Sequence, residues 1–255
     1  MKYINKSGEE SKMDFLMFVG GTASGKTTAA EKVQKKLGDS AVIVSMDMFY
    51  PELDLSVIDI TKHNFDEPAA IDNKLFLKKM MELVKTGSTK IPLHDFATTK
   101  VTHDHTEINE PKTVIIEGMM LITILSQLST LLSKEDLLEL NMTVSEVEEF
   151  TNSLLNNSDK FFVKVVSCDI QDNYQRFLRR VKRDMESRGR TPEQTKEMWE
   201  NFVKHAHEEY VKLQEELCDS VIYEENFEKK VKEISVKYSA KKQVKQDSKQ
   251  NPIQS

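Results

Sequence analysis

Five short apolar runs, separated by longer segments of helical periodicity, set out the framework of the chain. The first run, residues 14–20 (DFLMFVG), leads straight into a glycine-rich loop, which is typical of a buried parallel strand. After the loop, Ala29, Val33 and Leu37 recur at helical spacing, and Gly38 follows as a helix stop. The pattern predicts a strand, a loop and a helix in succession.

The four remaining apolar runs are also predicted to be strands. They are residues 41–44 (AVIV), 114–116 (VII), 160–169 (KFFVKVVSCD) and 218–224 (CDSVIYE). Because strands that alternate with helices pair in parallel, this order favours an α/β fold with a parallel sheet flanked by helices.

A capping box at residues 191–194 (TPEQ) predicts the start of a later helix. We expect the apolar stripe of this helix to pack on the sheet; it comprises Phe202, Ala206, Tyr210, Leu213 and Leu217. His205 and His207 lie on the same helix without a third ligand near them in the sequence. A packing or surface position is therefore favoured over a metal site.

Three segments lie outside this framework. Residues 122–157 carry amphipathic helical patterns and are interpreted as a helical insertion, and residues 1–13 as a polar N-terminal extension. Residues 239–255 are polar and almost without apolar side chains, which predicts disorder. Residues 14–238 are therefore predicted to form a single domain.

Composition narrows the class of protein. The chain has 255 residues and 38% hydrophobic content, which is enough for one substantial core. With 36 Lys and Arg against 42 Asp and Glu, the net charge is −6, which argues against a surface built for nucleic acid. Cys168 and Cys218 form no spaced cluster, and no apolar run reaches bilayer length. These features favour a cytoplasmic protein without a membrane partner.

Residues 20–28 (GGTASGKTT) carry the most specific chemistry. Their spacing fits G-x-x-x-x-G-K-[ST], a loop whose backbone N–H groups surround nucleotide phosphates, with a helix N-terminus adding positive charge. Because a strand precedes the loop and a helix follows it, we predict a P-loop NTPase-like fold. The expected phosphate-binding residues are Gly20, Gly21, Thr22, Ala23, Ser24, Gly25, Lys26, Thr27 and Thr28.

Two acids follow predicted strands, at the edge of a parallel sheet where ligands bind. Asp47 comes after the second strand and Glu117 after the third. P-loop proteins commonly hold Mg²⁺ with the loop Thr and a carboxylate, so Thr27 and Glu117 are the first metal-site candidates. Asp47 could share the metal or act on a substrate, and taken alone it could equally cap a turn.

Arginines recur at i, i+3, i+4 and i+7 along the helix predicted after the fourth strand. They are Arg176, Arg179, Arg180 and Arg183, and residues 188–190 (RGR) follow as a flexible joint. Such a helix is commonly a solvated basic surface or a nucleic-acid stripe. Beside a nucleotide loop, a clamp on phosphates is favoured, which makes residues 176–191 an arginine-rich lid.

Several motifs then occur in a fixed order: GGTASGKTT, SMDMFY, NFDEPAAID, IPLHDF, VIIEGM and RRVKRDMESRGR. Together they resemble the uridine–cytidine kinases, within the wider uridine kinase and phosphoribulokinase group of P-loop kinases. The likeness spans about residues 15–222, outside the insertion.

The resemblance implies a role for each matching residue. Asp47 and Lys26 would be catalytic, Asp47 as general base on a sugar 5′-hydroxyl and Lys26 on the phosphates of ATP. Thr27 and Glu117 would serve Mg²⁺, and Asp66 would bind the ribose hydroxyls. The implied acceptor-side arginines are Arg180 and Arg190, and the implied ATP-side arginines are Arg183 and Arg188.

The acceptor pocket is where the chain departs from the family pattern. His94 stands in place of a Tyr, Thr99 in place of a His, and Met198 in place of a Gln. His94 still offers ring nitrogens to a pyrimidine. Tyr50, Phe65 and Phe96 would supply aromatic walls, although each could equally be ordinary core.

The leading hypothesis is an ATP-dependent kinase of pyrimidine salvage that phosphorylates the 5′-hydroxyl of uridine or cytidine. One alternative is a kinase of the same family with another small hydroxylated acceptor. A second is a nucleotide-binding interaction protein with little or no turnover. The resemblance also implies a possible homo-oligomer.

Overall fold

The computed structural model describes residues 1–4, 8, 10–164 and 170–250. Five strands form a parallel sheet: β3 (Asp14–Val19), β4 (Ala41–Ser45), β7 (Thr113–Gly118), β8 (Ser158–Lys164) and β9 (Ser220–Tyr223). Their order across the sheet is β4-β7-β3-β8-β9, so the glycine-rich loop follows the central strand. All five predicted strands are confirmed. The end of the fourth prediction, residues 165–169 with Cys168, lies outside the described residues.

Helices connect these strands. In the first part of the chain they are α1 (Lys26–Leu37), α2 (Asn73–Thr86), α3 (Leu121–Leu131), α4 (Lys134–Leu140) and α5 (Val144–Asn156). In the second part they are α6 (Ile170–Ser187), α7 (Pro192–Met198), α8 (Lys204–Ala206), α9 (Lys212–Glu216) and α10 (Phe227–Gln250).

The two faces of the sheet are buried in separate apolar clusters. Along β3, Phe15, Met17 and Val19 join the cluster that includes side chains of α2, α3 and α5. Leu16 and Phe18 join the other cluster, with side chains of α1 and α10. Because successive side chains of a strand point to opposite faces, burial of both faces explains the unbroken apolar run.

Two antiparallel hairpins lie outside the parallel sheet, and the apolar pattern predicts neither. They pair β1 (Lys2–Ile4) with β2 (Glu10–Lys12), and β5 (Ser88–Asp95) with β6 (Lys100–Asn109). Most residues of β6 are exposed, so this strand lacks the apolar alternation that marks a half-buried strand. Met13, the last residue of the segment interpreted as a polar extension, is fully buried.

The helical region after residue 191 begins as predicted. The Thr191 hydroxyl accepts a hydrogen bond from the Gln194 N–H at 3.2 Å, and Pro192 lies in the first turn. The helix then passes through two π-helical segments, Trp199–Val203 and His207–Val211.

The predicted apolar stripe of that helix is wrong at its C-terminal end. Leu213 and Leu217 are 61% and 54% exposed. A π turn holds more residues than an α turn, so the two π segments rotate the buried face away from the α-helical register. The side chains that are buried instead are Val203, Val211 and Gln214.

The segment interpreted as an insertion forms α3, α4 and α5. Leu125 and Leu128 of α3 and Val147 and Leu154 of α5 are buried in the core, so these helices are part of the domain's packing. The last helix, α10, continues to Gln250 and includes most of the segment for which composition predicts disorder. Its Lys, Gln and Ala residues are good helix formers. Across the described parts of the chain, each helix is too short or too polar to cross a bilayer.

Candidate active site

The glycine-rich loop joins β3 to α1 through left-handed backbone. Gly25, directly before α1, has a φ of 92°, and Ala23 has a φ of 58°. Gly25 has no side chain to cap the helix, so the first N–H groups of α1 stay available to an anion. Ser24 Oγ is buried and has no hydrogen-bond partner among the described residues. The loop therefore fits a phosphate group.

Gly21 of the loop is enclosed by two side chains from distant helices. A Cβ at this position would lie 2.0 Å from Arg176 Nη1 and 3.1 Å from His207 Nδ1. Arg176 is buried, its Nη1 lies 3.3 Å from His207 Nδ1, and its guanidinium lies 5.7 Å from the Trp199 ring centroid. His207 thus packs beside the loop, whereas His205 is exposed and lies 2.5 Å from Glu209.

Gly21→Ala is expected to weaken binding of an ATP analogue about tenfold, because overpacking at the loop displaces the buried Arg176. The measurement is the dissociation constant from titration calorimetry. Gly38→Ala is the matched control, since Gly38 has a φ of 66° and open space around it. That control should lower the melting temperature through backbone strain and leave the dissociation constant unchanged. Wild-type affinity in Gly21→Ala would show that the contact does not shape the loop.

Glu117 is buried near the end of β7, and two hydroxyls hold its carboxylate. Thr27 Oγ1 donates to Oε2 at 3.2 Å, and Ser45 Oγ donates to Oε1 at 2.5 Å. Burial raises the pKa of Glu117; the Lys26 charge opposes that rise and the Asp47 charge adds to it. Sequence reasoning identified Thr27 and Glu117 but missed Ser45, which ends the neighbouring strand.

These oxygen donors fit a hard divalent cation such as Mg²⁺. The charge of Asp47 lies close enough to Glu117 to raise the pKa of that carboxyl, and a cation would relieve the repulsion. Within the described ranges, no group of three or more His, Cys, Asp or Glu side chains is placed to hold a metal alone. Phosphate oxygens of a nucleotide and water would complete the coordination.

Asp47 lies in a short 3₁₀ turn (Met46–Phe49) after β4, where its N–H donates to Ser45 Oγ at 3.3 Å. Its Oδ2 lies 3.5 Å from Arg188 Nη2, and the Arg188 guanidinium lies 4.7 Å from the Phe96 ring centroid. The arginine-rich lid therefore reaches the carboxylate directly.

Most of the predicted site residues line one pocket between the loop, the lid and the β5–β6 hairpin. Those that line it are Thr22, Lys26, Asp47, Tyr50, Phe65, Asp66, His94, Phe96, Arg180, Arg183, Arg188 and Arg190. Thr99 and Met119 also line it. Thr28, by contrast, is exposed on α1.

Asp66 and Arg180 form a buried ion pair in the wall of this pocket. Asp66 Oδ1 lies 3.3 Å from Arg180 Nη1, and the two side chains are 5% and 3% exposed. Asp66 Oδ2 and Arg190 Nε are buried without a hydrogen-bond partner in the described part of the chain. Leaving such groups unpaired costs about 1–3 kcal/mol each, so the wall suits a ligand with hydroxyl groups.

Aromatic rings form another part of the wall. Tyr50 stacks edge-on against Phe65, and its hydroxyl donates to the Phe65 carbonyl at 2.8 Å. The Arg190 guanidinium lies 5.4 Å from the Phe65 ring centroid. Tyr50 is therefore fixed by its own hydrogen bond and offers mainly its ring to a ligand.

The three positions that depart from the family pattern have different fates. His94 is buried in the pocket wall, and neither ring nitrogen makes a hydrogen bond of good geometry to a described residue. The Thr99 hydroxyl is already used, since it donates to the Leu53 carbonyl at 3.0 Å. Met198 is fully buried. Of the three, His94 alone lines the pocket with a polar group that lacks a well-formed hydrogen bond.

The melting temperature is expected to fall as the pH drops below about 6.5, the ordinary imidazole pKa. Burial lowers the pKa of His94, although the Pro51 backbone and the Asp47 charge oppose that shift. The unfolded chain then binds a proton that the folded chain does not, so acid favours unfolding. Melting curves at falling pH should show a smaller loss for His94→Gln than for the wild type. His105→Gln, on exposed β6, is the control and should follow the wild type; equal slopes for all three would contradict the effect.

Two residues of the arginine helix, Arg179 and Asp184, differ from what the sequence predicts. Arg179 is exposed and pairs with Glu224 at 2.7 Å, so it does not join the other cations at the pocket. Asp184, which sequence reasoning missed, is fully buried and lies within 3.6 Å of a nitrogen of each of the four pocket arginines. The available signal was a carboxylate four residues after Arg180 and directly after Arg183, inside the arginine run.

The sequence model of the phosphoribulokinase / uridine kinase family matches residues 16–145 and 161–230. The chain belongs to this family. Membership makes it a kinase-type phosphotransferase built on the P-loop fold. The match continues unbroken through residue 145, so residues 146–160 are the internal segment outside it. The segment expected to be an insertion therefore falls largely within the family match.

Individual relatives agree with this membership. The chain is 27% identical over 234 residues to the uridine kinase of Clostridium perfringens, covering 88% of this chain and 97% of the relative. It is 28% identical over 205 residues to the uridine kinase of Borrelia duttonii, covering 80% and 84%. The solved structure of the YGR205w protein aligns with a TM-score of 0.52 at 17% identity, covering 84% and 86%, and supports the fold.

Proposed function

We propose that this kinase transfers the terminal phosphoryl group of ATP to the 5′-hydroxyl of a pyrimidine nucleoside, uridine or cytidine. The observation that carries the proposal is the position of Asp47, which lines the same pocket as Lys26 of the loop and Asp66. A carboxylate that faces an acceptor beside a phosphate loop favours transfer to an alcohol over hydrolysis.

Asp47 would accept the proton of the 5′-hydroxyl as that oxygen attacks the phosphorus. Its carboxylate is 32% exposed and reaches the pocket, but Arg188 lies 3.5 Å away. Because this contact is long and involves Oδ2, Arg188 can leave Asp47 when the acceptor binds. The arginine would then be available to the phosphates, where its charge opposes the negative charge on the transferring group.

The donor side of the site comprises the loop, Lys26 and the pair formed by Thr27 and Glu117. Lys26 is buried, in the first turn of α1, and would contact the phosphates. Thr27 and Glu117 would hold Mg²⁺, which when bound neutralises charge on ATP. The oxygen donors and the buried, unpartnered Ser24 hydroxyl support this arrangement.

The acceptor side is supported by the buried Asp66–Arg180 pair and by the rings around it. Asp66 Oδ2 has unused capacity for a ribose hydroxyl. The rings of Tyr50, Phe65 and Phe96 line the same pocket and offer faces to a base. The relatives named uridine kinase support a pyrimidine nucleoside as the acceptor.

A second candidate is a different small hydroxylated acceptor, and two side chains favour it. Thr99 spends its hydroxyl on the Leu53 carbonyl, and Met198 is buried and apolar. Neither can replace the polar contact that the resemblance implies at its position. A site with changed polar groups rejects the usual ligand strongly, because buried groups are then left unpaired.

The test is a coupled assay that measures ADP release in the presence of each acceptor in a panel. The panel contains uridine, cytidine, a purine nucleoside and a small sugar phosphate. Stimulation by uridine or cytidine supports the proposal. Stimulation by the other acceptors alone establishes the second candidate. If ATP binds and no acceptor stimulates release, the proposed activity is wrong.

A further inference from the structure

The side chain of Asp184 divides its contacts between its two oxygens. Oδ1 accepts from Arg183 Nη2 at 2.7 Å and from Arg183 Nε at 2.9 Å, and it lies 3.6 Å from Arg188 Nε. Oδ2 lies 3.5 Å from Arg180 Nε and 3.4 Å from Arg190 Nη1. One oxygen therefore serves the arginines expected on the ATP side, and the other serves those expected on the acceptor side.

The backbone of the same residue holds the turn that follows α6. The Asp184 carbonyl accepts hydrogen bonds from the N–H groups of Arg188 and Arg190, both at 3.1 Å. Gly189 between them has a φ of 63°, which lets the chain reverse. Asp184 thus fixes both the backbone and the side chains of the residues that reach the pocket.

Four guanidinium groups in one pocket repel each other unless a carboxylate lies among them. Burial alone would raise the pKa of Asp184, but the charges of Arg183, Arg180 and Arg188 outweigh it and hold that pKa below its ordinary value. Burial lowers the pKa of Arg190 to about 10, against the charge of Asp184. The charged carboxylate therefore keeps these cations close together.

We propose that Asp184 is a positioning residue that sorts the four arginines into a donor pair, Arg183 and Arg188, and an acceptor pair, Arg180 and Arg190. The acceptor half of this proposal rests on the proposed function, whereas the donor half needs only a phosphate loop that binds ATP. Asp184 touches neither substrate in this arrangement and acts through the arginines.

A double-mutant cycle on binding of an ATP analogue tests the donor half, with Asp184→Asn, Arg183→Lys and the double variant. Each single change should weaken binding about tenfold, since each removes the same charge-assisted contact. The double variant should bind the ATP analogue no more weakly than the single variant with the lower affinity. The proposal is overturned if the fold-losses in affinity of the two single variants multiply in the double variant, or if Asp184→Asn binds with wild-type affinity. A purely structural role would lower the melting temperature without this non-additivity.

A second cycle, with Asp184→Asn, Arg190→Lys and the double variant, tests the acceptor half. Its measurement is the KM for uridine. If the wild type does not phosphorylate uridine, the proposed acceptor is wrong. The cycle measured with the ATP analogue then tests the role of Asp184 by itself. Glu186→Gln is the matched control, because Glu186 is exposed on α6 and pairs only loosely with Lys182 at 4.0 Å. It should leave both readouts unchanged.

A conservative variant covers the case in which Asp184→Asn does not fold. Asp184→Glu keeps the charge but moves both oxygens by one methylene group. It should retain the melting temperature better than Asp184→Asn and still weaken binding of the ATP analogue. Wild-type affinity in Asp184→Glu would overturn the proposal, because the position of the oxygens would then not matter.

Discussion

Asp47→Asn is expected to lower the rate of phosphoryl transfer about 10³-fold while the affinity for an ATP analogue stays unchanged. The amide keeps the size of the side chain but cannot accept the proton of the acceptor hydroxyl. The ion pair with Arg188 is long, at 3.5 Å, and the Asp47 side chain is 32% exposed. Its loss should therefore have little effect on stability. The measurement is the single-turnover rate at saturating ATP and acceptor.

Asp39→Asn provides the matched control for this substitution. Asp39 is exposed in the 3₁₀ turn after α1 and is not among the residues that line the pocket. It should turn over at the wild-type rate. A rate for Asp47→Asn close to that of Asp39→Asn would remove the general base from the proposed mechanism and leave Asp47 as a turn residue.

Glu117→Gln is expected to lower the rate about 10²-fold and to raise the Mg²⁺ concentration needed for half-maximal rate. Replacing a carboxylate by an amide removes one negative charge from the proposed cation site. Thr27 and Ser45 donate to different oxygens of Glu117, so the amide oxygen can accept from one hydroxyl while the amide N–H donates to the other. The fold should therefore remain intact. The measurement is the initial rate across a titration of Mg²⁺, with excess EDTA as the metal-free reference.

Glu135→Gln, at an exposed position in the first turn of α4, is the control for the metal titration. Its Mg²⁺ dependence should match that of the wild type. An unchanged Mg²⁺ dependence in Glu117→Gln would place the cation elsewhere. Transfer that persists in EDTA would argue against a required metal altogether.

The sequence predicted the sheet and the phosphate loop well, because both depend on short, contiguous signals. The run at residues 14–20 and the spacing up to Lys26 place a buried strand before a turn and a helix, and little else satisfies that pattern. Asp47 and Glu117 were found because strand ends of a parallel sheet meet at one edge.

Other features depend on contacts between distant residues and leave little local signal. The π turns exposed Leu213 and buried Gln214, whose Nε2 donates to the Met119 carbonyl and whose Oε1 accepts from the Ile122 N–H. A prediction that assumes 3.6 residues per turn along the whole helix misses this change of register. The exposed strand β6 has no apolar alternation to detect.

The arginine helix shows the same limit. Its spacing predicted one cationic face, but only tertiary contacts reveal that Arg179 turns to Glu224 while Arg176 reaches Gly21. Likewise, the sequence places Asp184 among arginines without showing which of its oxygens each one approaches. The charge pattern identified the lid, but only the side-chain geometry shows which residue each arginine contacts.

The central strand gives the nucleotide loop an attachment on both sides. Its last two residues, Phe18 and Val19, belong to opposite halves of the apolar interior, and the loop begins immediately after them. A cavity opened in either half would loosen the base from which the loop projects. Selection on catalysis would therefore constrain residues far from the reacting atoms.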